Sequence, residues 1–500
     1  MNIPKHTDTL VVGSGTAGSI VAGRLASRLN QKVVLLEAGP DFGPFNNINW
    51  PPDLLNGTVI GETHDWGYTS SSVNGKHNHN LERAKAIGGC SSHNGCIAIW
   101  GSHLDYDTWE SYGNNGWSSQ EVLPFFAQAN KTLRVRDFQE SEVTPFHRMC
   151  VNVMENTGIP RSKNLNDLYE NQGVNISPVN ILNGKRFNAA FAYLDPVREN
   201  GYLTIIGNSL VNKINLNRNK AISVEAIINN EETLICADRI IVSAGSFESP
   251  CILMRSGVGN TRKLSKLGIT PHLELLGVGS NLHDHPSLNI RFQGTNLLSK
   301  LMKEFRENGQ LIFSEQSIAK VRSSNCKEGF DLHIYPITGT TENGNGSWDC
   351  AIYTANMVPL SRGSLEITSN DPLSKPIIDQ GYLTDQEDQD IKILKEGLEI
   401  SREISLQKEA IELIGYELPE SSRIESIDDI RKNVLHYYHP VGTCKMGPEL
   451  DSTSVVDNNG KVHGLDNLYV IDASIIPTVP RGNTNLPVAM VAERIVNNLC

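Results

Sequence analysis

No two of the nine cysteines stand in a C-x-x-C pair, and their number is odd. That speaks against both a zinc site and a disulfide frame, and it predicts reduced thiols in a cytoplasmic protein. No run of 18 apolar residues occurs, so no membrane insertion is expected. The first apolar run begins within about ten residues of Met1, which leaves no room for a signal peptide. Internal repeats and low-complexity tracts are missing, and no metal-ligand spacing appears. Positive charge is in deficit: 44 Lys and Arg against 56 Asp and Glu leave a net charge of -12. Nucleic acid and anionic membranes are therefore poor partners. A cationic small molecule is compatible with this charge, although most of it is solvated surface.

What is present begins at residues 10–37, LVVGSGTAGSIVAGRLASRLNQKVVLLE. Leu10, Val11 and Val12 read as the end of a buried parallel strand. Gly13, Gly15 and Gly18 follow at G-x-G-x-x-G spacing. Val21, Leu25 and Leu29 then share one helical face, with Asn30 as a left-handed cap. A second apolar run ends at Glu37. Glycines allow a tight turn and close approach to a pyrophosphate at a helix N-terminus, and the acid can accept ribose hydroxyls. Strand, helix, strand and acid in this order predict dinucleotide binding. The motif alone does not separate FAD from NAD.

The 500 residues allow two to four domains. Residues 40–83 read as extended loops. Residues 84–100, AKAIGGCSSHNGCIAIW, place small and polar residues before an apolar segment, as a cofactor wall would. Residues 104–131 read as two helices, the second capped at Ser118 or Ser119. Strands are predicted at 203–206, 210–216, 222–228 and 232–237 as an antiparallel meander, and at 239–242 as a separate buried strand. Residues 331–337, 349–358 and 363–367 alternate, and 385–404 read as a long helix, which suggests an α+β unit. The last helix carries Val488, Val491, Ile495 and Leu499 on one face, with Asn485 as its cap.

Three residues invite chemistry. His439 precedes Pro440, which stiffens its backbone and suits either a fixed imidazole base or a structural turn. Asn483 lies in the turn before the last helix, where it is either a cap or a hydrogen-bond donor. Asp472 ends a strand and reads as a cofactor neighbour or an ordinary acid.

Six stretches, in order, carry a resemblance: GSGTAGS with LLEAGP, AKAIGGCSSHNG, AGSFESPCILMRSGVG, GVGSNLHDHP, HPVGTCKMG and VIDASIIPTVPRGNTNLP. Together they resemble the glucose-methanol-choline (GMC) oxidoreductases over nearly the whole chain. The resemblance implies an α/β fold with a Rossmann-like FAD-binding domain (1–140, 190–290 and 440–500) and a discontinuous α+β substrate-binding domain (141–189 and 291–439). It implies oxidation of an alcohol by hydride transfer to flavin N5, with O2 or another acceptor. Gly13, Gly15 and Gly18 would cradle the FAD pyrophosphate, Glu37 the adenosine ribose, and Val211 the adenine. Gly89 and Asn94 would line the flavin, and Asp472 its ribityl-phosphate part. His439 matches the family's base and Asn483 its partner.

GGCSSHN resembles the choline-oxidising branch, which makes His93 a candidate for covalent FAD attachment; simple hydrogen bonding to the flavin is the alternative. Trp66 and Tyr438 resemble aromatic positions near that branch's substrate. Gly95 stands where the branch has serine, Tyr335 replaces a pocket histidine, and no acid for a quaternary ammonium is evident. These departures point away from choline and leave a polar or cationic primary alcohol compatible; the family resemblance alone adds an amino sugar of an aminoglycoside antibiotic pathway as one such alcohol. A choline-type dehydrogenase, an FAD-containing hydroxynitrile lyase and an inert flavin-binding protein are the competing readings.

Overall fold

The computed structural model describes residues 3–29, 31–71 and 79–500. Asn30, the expected helix cap, lies outside the described residues. Strand β1 (His6–Val12), helix α1 (Thr16–Arg28) and strand β2 (Val33–Leu36) form the expected unit. The apolar runs are buried on both faces, so the strands pair in parallel, Thr9 opposite Val33 through Val12 opposite Leu36.

On the far edge of β2 lies Leu203–Ile206, parallel to it. This strand therefore belongs to the parallel sheet and not to the meander. On the other edge of β1 lies Glu231–Val242, one strand of 12 residues where two were expected. Its first half pairs antiparallel with Lys220–Ile228, and its second half pairs parallel with β1 and with Leu468–Val470. Asp238, which falls between the two expected strands, sits at an exposed position of the continuous strand, with His6 Nε2 at 3.1 Å. A polar residue on the wet face of a strand needs no interruption.

A second, six-stranded antiparallel sheet contains Pro286–Gln293, Asp349–Asn356, Leu332–Thr338, Ser317–Val321 and Gly173–Ile176, with Leu435–His436 at its edge. Helix Gln389–Ser405 covers it with buried Ile391, Leu394 and Leu398. The helix starts later than expected because Asp385 caps from outside, its carboxylate accepting from the Gln389 N–H at 2.6 Å. Among the described residues no helix is long and apolar enough to cross a membrane. All nine cysteines are free.

The last helix, Asn485–Leu499, is buried on almost every face between α1 and helix Ser119–Thr132. Thr484 holds the cap position. Asn485 instead accepts a hydrogen bond from the Thr16 hydroxyl at 2.6 Å and ties the last helix to the first. Glu493 is buried but satisfied by Arg24 at 2.6 Å, Gln128 at 2.7 Å and Tyr193 at 2.9 Å. A buried charge survives in this setting because each oxygen has donors.

Helix Pro145–Asn156 braces the segment that enters the second sheet. His147 lies 2.8 Å from Ser317 Oγ through Nδ1 and 3.0 Å from the Ser314 carbonyl through Nε2. Burial pushes its pKa down to about 3. The folded state keeps this imidazole neutral while the unfolded chain protonates it near 6.5, so its contribution is lost as pH falls from 6.5 towards 3. His147→Leu should therefore destabilise the protein at pH 8, and the gap to wild type should narrow by about 2 kcal/mol at pH 5. Urea unfolding at both pH values measures this; a gap independent of pH would refute the buried neutral state.

Candidate active site

A cavity of about 380 Å³ opens at the carboxyl ends of the parallel strands, where an α/β sheet characteristically binds ligands. Its floor is glycine. Gly13 has φ +92°, and a Cβ there would stand 2.5 Å from the Ser243 carbonyl oxygen. Gly18 lies behind the turn and does not line the cavity; a Cβ on it would strike the Gly13 carbonyl. Gly15 faces open space, and no side chain caps the N-terminus of α1. Gly89, at φ +51°, comes so close that its Cβ would stand 2.6 Å from Gly15 Cα. Two backbone turns thus meet with no side chain between them, leaving free room at an uncapped helix N-terminus. This fits a pyrophosphate.

Glu37 is buried at the end of β2. Its Oε2 accepts from the Ser14 N–H at 3.0 Å and the Ser14 hydroxyl at 2.5 Å, and its Oε1 from the Gly39 N–H at 2.8 Å. Burial raises its pKa against these hydrogen bonds. Oε1 keeps one acceptor position for a ligand hydroxyl. Asp472 is more fully engaged: Ser249 Oγ, the Gly245 N–H, Ser474 Oγ and the Ser474 N–H all donate to it at 2.5–2.8 Å. It fixes the strand ends around the cavity. Val211 lines the same cavity with Ser209 and Leu210.

The loop after Gly89 forms a wall. His93 is buried and lines the cavity, and its Nε2 has no hydrogen-bond partner. The neighbouring Cys90 thiol is brought down to about 7: burial would raise it, but a hydrogen bond from His93 and the Arg83 charge outweigh that. The Asn94 side chain accepts from the Cys96 N–H at 3.1 Å. Behind the loop, fully buried Arg186 donates to the carbonyls of Asn94, Asp53, Leu54, Ser92 and Val59 at 2.6–3.2 Å.

Opposite stand the catalytic candidates. His439 Nε2 lies 3.4 Å from Asn483 Nδ2, and its Nδ1 lies 3.0 Å from Nδ1 of His285. Burial, then the charges of Arg83 and His436, push the His439 pKa down to about 3, so the imidazole is an unprotonated acceptor. The far wall carries a residue that the sequence reading missed. Glu315 lines the cavity and accepts a short hydrogen bond from Tyr335. Its carboxylate occupies the space that a side chain on Gly95 would need. Burial raises its pKa, partly offset by the Tyr335 hydroxyl and the Arg186 charge. The available signal was an isolated acid in the mostly apolar stretch LIFSEQSIAKV. Edge-to-face rings lead back from it: Tyr335 to Tyr437 at 5.9 Å and Tyr437 to His439 at 4.9 Å. Trp66 and Tyr438 line the same cavity. His333 instead is buried, stacked on Phe330, and does not line it.

Every sequence candidate except Gly18 thus borders one space that joins a dinucleotide cradle to an imidazole–amide pair. Such a fold and site define a flavin-dependent oxidoreductase acting on alcohols. The comparison with known proteins is specific: the family described as GMC oxidoreductase matches residues 7–287 in its N-terminal part and 359–492 in its C-terminal part. The chain belongs to that family, and its cofactor is FAD. The oxygen-dependent choline dehydrogenase of Vibrio vulnificus (strain YJ016) is 30% identical over 538 residues, covering 98% of this chain and 93% of its own. Choline oxidase of Arthrobacter globiformis is 30% identical over 525 residues, with the same coverage. The crystal structure of pyridoxine 4-oxidase from Mesorbium loti matches with a TM-score of 0.87 at 28% identity, over 98% of this chain and 99% of that one.

Gly89→Ala tests the cradle. The added methyl has no room beside Gly15, so the purified variant should fold yet show a several-fold lower flavin-to-protein absorbance ratio. Full flavin content would mean that this contact is not the floor of the cofactor site.

Proposed function

We propose that this protein oxidises a primary alcohol to its aldehyde, with O2 as acceptor giving H2O2, and that the alcohol carries a cationic or strongly hydrogen-bonding group at its far end. The observation that supports this most directly is the pairing, across one cavity, of a neutral His439 next to Asn483 with the buried carboxylate of Glu315. The residues fit a division of labour between 1–140, 190–290 and 440–500 for FAD and 141–189 and 291–439 for substrate.

Gly13, Gly15, Glu37, Gly89, Asn94, Val211 and Asp472 would hold FAD, with Gly18 shaping the turn from behind. His93, through its unpartnered Nε2, would attach it covalently. FAD supplies the hydride acceptor. His439 Nε2 takes the hydroxyl proton of the alcohol, since a neutral imidazole with a depressed pKa still has its lone pair at neutral pH. Asn483 Nδ2 donates to the forming alkoxide. Glu315, Tyr335 and Tyr437 orient the far end: a carboxylate facing a cation in a desolvated pocket binds it more strongly than the same pair in water. Gly95 leaves Glu315 the space to do so.

This reading keeps an amino sugar of an aminoglycoside pathway within the substrate class, together with choline. Pyridoxine enters through the structural relative. The free thiols suit a reducing, cytoplasmic setting. Oxygen uptake across choline, pyridoxine, glucose, an aromatic alcohol and a paromamine-type amino sugar tests it. Uptake with an amine-bearing alcohol supports the reading, whereas turnover confined to glucose or the aromatic alcohol contradicts the role of Glu315.

His439→Ala should retain flavin and lose about 10²–10⁴-fold in the rate of anaerobic flavin reduction. Undiminished reduction removes His439 as the base. Glu315→Gln should raise KM for a cationic substrate roughly 30-fold or more with kcat little changed. Acid precipitation should leave flavin on the wild-type protein and release it from His93→Ala; release from both makes the attachment non-covalent.

A further inference from the structure

His285 does not line the cavity, yet it is the side chain that meets the back of His439. Their Nδ1 atoms lie 3.0 Å apart, and the rings meet edge to face at 5.2 Å between centroids. Two N–H groups cannot point at each other at this distance, and two lone pairs repel. One proton must therefore lie between the two nitrogens, on one ring or the other. Both rings are held neutral by burial, so each carries a single proton to place.

Both ends of the pair vote the same way. The Met357 carbonyl acts on the His285 ring as an acceptor, and Nε2 is buried with no hydrogen-bond partner. Nδ1 already faces His439, so a carbonyl, which offers only lone pairs, favours the proton at His285 Nε2 and leaves Nδ1 as the acceptor. The proton between the rings then belongs to His439 Nδ1. At the other end, His439 Nε2 faces the Asn483 Nδ2 group, which can only donate. A lone pair at His439 Nε2 satisfies that contact as well. The backbone supports this arrangement. Oδ1 of Asp284 accepts from the N–H of His285 at 2.8 Å and from the N–H of His439 at 2.9 Å, while Tyr382 donates to Oδ2 at 2.8 Å. Each histidine also precedes a proline, Pro286 or Pro440, which restricts its backbone.

We propose that His285 is a positioning residue that locks His439 in the tautomer protonated at Nδ1, so that Nε2 always presents its lone pair to the substrate hydroxyl. The inference rests on the reading of His439 as the base. Without the lock, an isolated imidazole prefers neither nitrogen strongly, and part of the population would turn a proton towards the alcohol. When His439 takes the substrate proton at Nε2, its Nδ1–H still has His285 as acceptor, so the imidazolium keeps its hydrogen bond on that side.

The test uses the flavin-loaded enzyme with 15N-labelled histidine, the His439 signals being assigned by their loss in His439→Gln. In wild type, Nδ1 of His439 should show a directly bound proton and Nε2 should not. In His285→Leu, which keeps the bulk and removes the acceptor, the two nitrogens should move towards a mixture of tautomers. Anaerobic flavin reduction should slow by roughly 10- to 10²-fold, with the substrate concentration for half-maximal rate within about twofold of wild type. His285→Asn places an amide oxygen near the position of Nδ1 and should restore most of the rate. A proton on Nε2 of wild-type His439 overturns the proposal. So does a wild-type tautomer in His285→Leu, or a His285→Asn variant with full flavin and no recovery over leucine. If His439→Gln reduces flavin at the wild-type rate, the base assignment fails on its own, and the 15N spectrum still decides the tautomer.

Discussion

The cavity wall depends on one buried cation. Arg186 is fully buried and makes no direct ion pair among the described residues, yet five backbone carbonyls accept from its guanidinium. A desolvated charge left without partners costs several kcal/mol, so the chain must keep those carbonyls turned inward. Two come from Ser92 and Asn94, on either side of His93. Three come from Asp53, Leu54 and Val59, in the segment that leads to Ile60 of the cavity wall. The same positive charge acts through space on Glu315. The loop that carries His93 and the carboxylate on the opposite cavity wall therefore share one electrostatic anchor.

The region around His439 follows a different rule. His285, His333 and His436 crowd near it and, like His439, are held neutral by burial. Uncharged imidazoles can lie next to one another where ammonium groups could not. The nearest acid, Asp284, is pushed up to about 6 because burial outweighs the hydrogen bonds it accepts. Proton placement, more than fixed charge, thus sets the chemistry on this side, while fixed charge sets it at Glu315.

The first strand, helix and second strand were legible because their signals are local: apolar runs, glycine spacing and a terminal acid. Strand Glu231–Val242 was misread because its role changes halfway, and a solvent-facing Asp238 looks the same in sequence as a strand end. Asn485 reads as a cap in sequence because its partner, Thr16, lies 469 residues away. The same distance effect hid Arg186, whose acceptors are scattered over two loops, and Glu315, which matters only because Gly95 is small and Tyr335 is near. That His439 and Asn483 share the cavity wall was legible through family motifs. His285 stood in the quoted stretch LHDHP, but nothing in the spacing says that it touches His439, 154 positions later.

The link from Asn485 to Thr16 also bears on how the molecule is made. The nucleotide cradle begins at residue 13, but its sheet lacks Leu468–Val470 and its helix layer lacks Asn485–Leu499 until more than 400 further residues have been made. A ribosome working from the N-terminus must release the glycine turn, then nearly the whole second sheet, before the first core can close. During that interval the apolar faces of α1 and of helix Ser119–Thr132 have no cover. A piece made after the second sheet therefore seals one made before it, so the nucleotide cradle is a vessel left open while the other sheet is being built.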